Sequence, residues 1–123
     1  MTQMEQLIQE VRSELGGDFV STDVVGMDGL SIAGGSADPN FNAEAASARF
    51  AMVTKLGAKV SDKLRMGEVD DILVTTNGAY IIARILGDGS YYWGLAVTKD
   101  ATLGMVRMLM NEYADQLWAA IPR

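Results

Sequence analysis

The sequence predicts an α/β sandwich: one mainly antiparallel sheet with helices packed on it, in the order α-β-β-α-β-β-β-α. Three observations carry that prediction. Asn77-Gly78 divides two β-type runs within "TTNGAYIIARI" (Thr75 to Ile85), a strong short-range signal for a tight hairpin. Asp28-Gly29 divides a second pair of runs, Val20 to Met27 and Leu30 to Ala33. Helical periodicity precedes, separates and follows these strand groups, so the two hairpin groups are joined through a helix.

Each element follows from its own residues. In the first helix, "TQMEQLIQEVRSELGG", Met4, Leu7, Ile8, Val11 and Leu15 recur at helical spacing, and Gly16-Gly17 supplies a stop. After the first hairpin, the small polar cluster Gly34 to Asn42, with Asp38-Pro39 inside it, reads as a loop. Asn42 suits the cap of a long helix running to about Arg65, where Gly67 ends it. The apolar stripe of that helix is Ala46, Phe50, Val53, Gly57, Val60 and Leu64. Ala45, Met52 and Leu56 widen it to roughly 160° at ~100° per residue, more than one sheet contact requires. Strands Val69 to Thr76, Ala79 to Leu86 and Tyr91 to Thr98 follow, the last two joined by the glycine-rich turn "GDGS". Asp100 or Thr102 caps a final helix that reaches about Ile121, with the core stripe Leu103, Val106, Met110, Tyr113, Leu117 and Ile121. There is no internal repeat, low-complexity segment or linker, so residues 1–123 read as one domain.

Composition bounds function mainly by exclusion. Apolar residues make up 49% and charged residues 21%, the balance of an ordinary globular chain. No apolar run approaches the ~20 residues that cross a bilayer. The polar, acidic start (Gln3, Glu5, Gln9, Glu10) is unlike a signal peptide, so a cytoplasmic protein is expected. Cysteine is absent, which removes disulfides, thiolate nucleophiles and most structural zinc sites. Histidine, the commonest general base and metal ligand, is absent too. No phosphate-loop motif occurs, "GGSADPN" lacks the lysine of one, and "GDGS" lacks the twelve-residue calcium pattern. Asp70 and Asp71 are adjacent on a strand and point to opposite faces, so they make no carboxylate pair. No residue is therefore assigned a catalytic, cofactor-binding or metal-binding role, and function is expected to reside in surfaces.

The net charge of −6 argues against nucleic acid and anionic membrane as partners, both of which need a basic face. Half of the ten Lys and Arg nevertheless fall between Arg49 and Arg65. Lys55, Lys59 and Lys63 form one stripe along the long helix beside Met52 and Leu56, readable as a docking surface for an acidic partner. The competing reading is a solvated face whose cations suit the negative end of the helix dipole. Met105 and Met108 lie off the core stripe of the last helix and are expected to pack against the first helix. Tyr91, Tyr92 and Trp93 should send alternate rings to opposite faces of the sheet.

The hairpin "VVGMDGLSIAGG", the helix-ending "LRMGEVDDILV" and the helix-opening "DATLGMVR" together resemble Roadblock domains, also called dynein light-chain Roadblock-type proteins. The likeness runs from about Met4 to Ile121. The start of the last helix, Leu103-Gly104-Met105-Val106-Arg107, resembles the bacterial gliding-motility branch, whose members act on a Ras-like GTPase. The resemblance implies a five-stranded antiparallel sheet, with the long helix on one face and the terminal helices on the other. It implies a homodimer in which the strand Val69–Thr76 pairs with its twin and the long helices lie side by side. It also implies a non-enzymatic regulator of a small GTPase. Ala45, Ala48, Met52, Leu56, Ile72 and Val74 are expected at the dimer interface, and Arg49, Lys55, Lys59 and Lys63 at the GTPase. A pairable edge strand and an overly wide apolar arc fit the dimer independently.

Family members usually carry no arginine finger. Here Arg84 falls within a strand, Arg12 and Arg107 on helices expected to pack on the sheet, and Arg49 and Arg65 on the long helix, leaving Arg123 as the flexible option. Stimulation of hydrolysis is then expected to come from ordering the GTPase's own switch residues. The alternatives are a small-molecule sensor with a ligand held between sheet and helix, a pure scaffold subunit, and a heterodimer with another Roadblock protein.

Overall fold

Local capping and turn chemistry set the element boundaries in the computed structural model, which describes residues 1–122. Helix α1 (Gln3–Leu15) begins where the Thr2 hydroxyl accepts the Glu5 N–H at 3.1 Å, and it ends at Gly16, whose φ is 56°. One 3-10 turn leads into β1 (Phe19–Gly26), which is followed by β2 (Ser31–Ser36). The connecting turn closes with Gly29 N–H on the Gly26 carbonyl at 2.8 Å, and Gly29 takes φ 89°. A register shift between Val24 and Val25 accompanies it, so the first hairpin turns through a bulge.

Helix α2 (Ala43–Lys63) starts at Asn42, whose side chain accepts the Ala45 N–H at 3.1 Å. Strands β3 (Asp71–Thr75), β4 (Ala79–Leu86) and β5 (Tyr91–Thr98) follow, then α3 (Leu103–Ala120). The Asn77-Gly78 turn sits at the predicted place. Its geometry is held by Thr76, whose hydroxyl accepts the N–H groups of Gly78 and Ala79 at 3.1 and 2.9 Å.

The sheet order is β2-β1-β5-β4-β3, with every neighbouring pair antiparallel. This is the five-stranded sheet that the resemblance implies, and the helices divide as it implies. The larger core joins α1 and α3 (Leu7, Val11, Met110, Leu117) to one face through Val24, Trp93 and Leu95. A smaller cluster of Val25, Ala51, Ala83 and Tyr92 lies on the opposite face under α2. Tyr92 and Trp93 thus go to opposite faces, as alternation requires.

Three boundaries depart from the sequence reading. Strand β2 runs through Gly34 and Gly35 instead of ending at Ala33, because both remain paired with β1. A side chain at Gly34 would bring a Cβ to 2.7 Å from the Thr22 carbonyl oxygen, so glycine permits that pairing. Strand β3 begins at Asp71 instead of Val69, although the Asp70 carbonyl still accepts the Ile85 N–H at 2.9 Å. Helix α2 stops at Lys63, because Arg65 itself turns to φ 54°. The Arg65 and Met66 N–H groups then bond back to the Asp62 and Ser61 carbonyls, both at 3.1 Å, which makes a Schellman ending two residues before Gly67.

Candidate functional site

The face that α2 turns toward the sheet is built from small side chains. Ser47, Ala51 and Thr54 are its buried residues. Farther along, a Cβ at Gly57 would lie 2.7 Å from Ile72 Cδ1, so glycine sets the approach of the helix to β3. The polar groups in this contact are satisfied. Thr54 Oγ1 donates to the Phe50 carbonyl and the Tyr92 hydroxyl to the Ser47 carbonyl, each at 2.7 Å. The two oxygens of Asp23 accept separate hydroxyls, Ser31 on Oδ1 and Ser47 on Oδ2. Burial pushes the Asp23 carboxyl above its ordinary pKa against the opposing pull of those hydroxyls. Burial, and then the nearby Asp23 charge, push the Tyr92 hydroxyl up as well. With both oxygens engaged, Asp23 serves as an anchor between β1, β2 and α2.

Only half of the apolar stripe read from the sequence faces the sheet. Met52 is 70% exposed and Leu56 and Leu64 are each 62% exposed, with Val53 and Val60 also exposed. Only Ala46, Phe50 and Gly57 of the predicted stripe are half-buried. The reason is steric: close packing of α2 over Ala83, Tyr92 and Ile72 selects Ser, Ala, Thr and Gly, and the bulky side chains point away. At about 100° per residue, Met52, Val53, Leu56, Val60 and Leu64 form one outward face. Lys55, Lys59 and Lys63 lie along one margin of that face, and Arg49 falls within it; all four are exposed. Ala48 is exposed, packed near Gly29, and Ala45 is half-buried.

This face adjoins an open sheet edge. Among the described residues strand β3 pairs only with β4, so its other side presents free backbone donors and acceptors. Ile72 and Val74 are half-buried on the α2 side of β3, while Leu73 packs against the larger core. Asp71 is clamped by Arg107, with Nε at 3.1 Å and Nη2 at 3.0 Å. Beside the N-terminal half of α2 a pocket of about 230 Å³ opens, lined by Val20, Phe41, Ala46, Phe50, Ile81 and Ala96. The sequence contained a signal for it: Ser21, Gly94 and Ala96, all small, share this face of the sheet. Among the described residues, no three His, Cys, Asp or Glu side chains gather to hold a metal ion, and no helix is long and apolar enough to cross a membrane.

No protein-family model matches the sequence, and no curated protein matches it. Solved structures do. MglB from Myxococcus xanthus superposes with a TM-score of 0.88 at 13% identity, over 97% of this chain and 94% of that one. A Roadblock/LC7 domain from Streptomyces avermitilis gives 0.76 at 17% identity, over 92% and 96%. The gliding protein MglB from Thermus thermophilus gives 0.84 at 13% identity, over 96% and 87%. The chain has the Roadblock fold.

Within this Roadblock fold three of the five described arginines are engaged. Arg107 holds Asp71, Arg84 donates to Asn111 Oδ1, and Arg12 stacks 4.9 Å over the Phe19 ring. Arg49 and Arg65 are exposed on α2 and at its end. The expectation for Arg123 lies outside the described residues. Met105 and Met108, expected against α1, are instead 68% and 70% exposed. Tyr113 and Leu117 fill the space between α3 and its neighbours, so the two methionines stay outside.

Proposed function

We propose that this chain is a non-enzymatic, homodimeric Roadblock module that binds and regulates a Ras-like small GTPase in the cytoplasm. The observation that supports this most is the outward face of α2, where five large apolar side chains stand exposed next to an unpaired strand edge. Two copies joined through β3 would continue one sheet across both chains, with the α2 helices side by side above the junction. An interface of the usual size, roughly 1,200–2,000 Å² in total, would cover Met52, Leu56, Ile72 and Val74 with Ala45 and Ala48 at its margin.

The GTPase is supported by the gliding-branch motif resemblance together with the MglB-like backbone. Arg49, Lys55, Lys59 and Lys63 would remain at the rim of the dimer as a cationic strip on an otherwise acidic protein. Such charges act mainly on encounter rate and salt sensitivity. With Arg84 and Arg107 tied to Asn111 and Asp71, the exposed Arg49 and Arg65 are the candidate fingers among the described residues. On this reading neither enters the active site, and acceleration of hydrolysis would come from holding the GTPase's own switch residues in the active arrangement. The sensor alternative draws support from the 230 Å³ pocket, but its apolar lining suits hydrocarbon side chains better than a polar metabolite.

Stopped-flow association with the GTP-loaded Ras-like GTPases of the source organism tests the reading. One of them should bind, and Lys55→Glu with Lys59→Glu should slow its association about tenfold at low salt. Absence of any binding GTPase, or binding indifferent to both the double reversal and salt, would overturn it.

A further inference from the structure

On the opposite side of the molecule from α2, α1 and α3 leave a groove of about 600 Å³ that the dimer and GTPase reading does not use. Its floor is apolar: Ala101 and Val106 are buried, and Leu15 and Leu109 half-buried. Met105 and Met108 stand at its border, two flexible side chains able to mould to a guest. Every ionisable side chain lining the groove is acidic: Glu14, Asp18, Asp100 and Glu112.

Among the described residues none of the four forms an ion pair; the ion pair is Arg107 with Asp71, at another place on α3. The cations closest in sequence, Arg12 and Lys99, sit over the Phe19 ring and, at 4.3 Å, over the Tyr80 ring. Asp18 accepts the Thr98 hydroxyl at 2.7 Å, a neutral partner that leaves its charge in place. A neighbour registers these charges: burial and then Glu14, Glu10 and Glu112 push the Tyr113 hydroxyl above its ordinary pKa.

An apolar strip with adaptable methionines and an acidic border is complementary to one kind of partner. We propose that this groove docks a basic amphipathic helix from another protein, its apolar residues on Met105, Met108 and Leu109 and its cations against Glu14, Asp18, Asp100 and Glu112. The mode is helix-in-groove, with burial of the apolar stripe supplying affinity and the acids selecting charge and speeding encounter. It places a second partner site on the face away from α2, so one dimer would carry two such sites pointing outward.

Fluorescence anisotropy with a labelled 18-residue Leu/Lys amphipathic peptide tests this directly. The control is a peptide of identical composition, shuffled so that no apolar face forms. The amphipathic peptide should bind the intact protein with a Kd on the order of 10 µM at low salt, and the shuffled one about tenfold more weakly. Glu14→Lys with Glu112→Lys should weaken binding about tenfold and flatten its salt dependence. Met105→Ser with Met108→Ser should weaken it while leaving the salt dependence intact. All four positions are at least partly exposed, and an unchanged circular dichroism spectrum checks the fold. Equal binding of the two peptides, or binding unchanged in both double variants, would overturn the proposal. So would a fall in the native mass of the protein alone in those variants, which would mean that the groove is filled by a second copy.

Discussion

Asp23 shows how much one side chain can decide without taking part in chemistry. Its two acceptor oxygens tie β2 and α2 to β1, and that network is illegible in the sequence. Ser47 lies 24 residues away on another element, and no periodicity links it or Ser31 to Asp23. The pH dependence follows from the direction of its shift. Burial raises its folded pKa above the ordinary 3.8, so the folded state holds the proton more tightly than the unfolded state does. Well below 3.8 the carboxyl is protonated in both states; as pH rises past the unfolded and then the folded pKa, its contribution to stability falls and then levels off. Asp23→Asn removes the ionisation while keeping an acceptor oxygen. Thermal melts from about pH 4 to pH 7 should therefore show the variant gaining on the wild type as pH rises. Parallel melting profiles, or a gap that widens the other way, would mean that the hydroxyl bonds outweigh burial at this site.

At the scale of elements, helices α1 and α3 are legible in the sequence and α2 only in part. In α1 and α3 the apolar stripe and the buried stripe coincide, because each packs large side chains into the main core. In α2 they diverge: the sequence signals an arc too wide for one contact, but counting apolar residues cannot show that Ser47, Ala51 and Thr54 face inward. Polar groups that bond backbone or a buried carboxylate can be core residues, and that depends on tertiary partners. Met105 and Met108 depart from expectation for a related reason, since only the packed neighbours decide which methionines are covered. The end of α2 offers a direct check on backbone energetics. Arg65 occupies the left-handed position that glycine usually fills in this ending, a conformation costing roughly 1–2 kcal/mol for an L side chain. Glycine relieves that strain but loses more chain entropy, so Arg65→Gly should stabilise the fold by about 0.5 kcal/mol. Chemical denaturation would show it as a raised midpoint with an unchanged m-value. A lowered midpoint would mean that the arginine side chain makes a compensating contact.

At the scale of the whole molecule, the hairpin signals and the Roadblock resemblance together anticipate the sheet, while the strand order emerges only from tertiary pairing. The two turns fix which strands are neighbours, but nothing local dictates that β1 sits beside β5. That pairing puts β3 and β2 at the edges, and α2 reaches the β3 edge where Gly57 meets Ile72. A monomer would leave that face in water with Met52, Leu56, Val60 and Leu64 all exposed, an arrangement that self-association relieves. Sedimentation equilibrium at micromolar concentration, on the wild type and on Met52→Glu, measures this most directly. The wild type should sediment at twice the mass of the 13.2 kDa chain, and Met52→Glu, which sets an unpaired charge in the shared surface, should shift toward the monomer with its circular dichroism unchanged. A wild-type protein that sediments as a single 13.2 kDa species throughout that range would contradict the account.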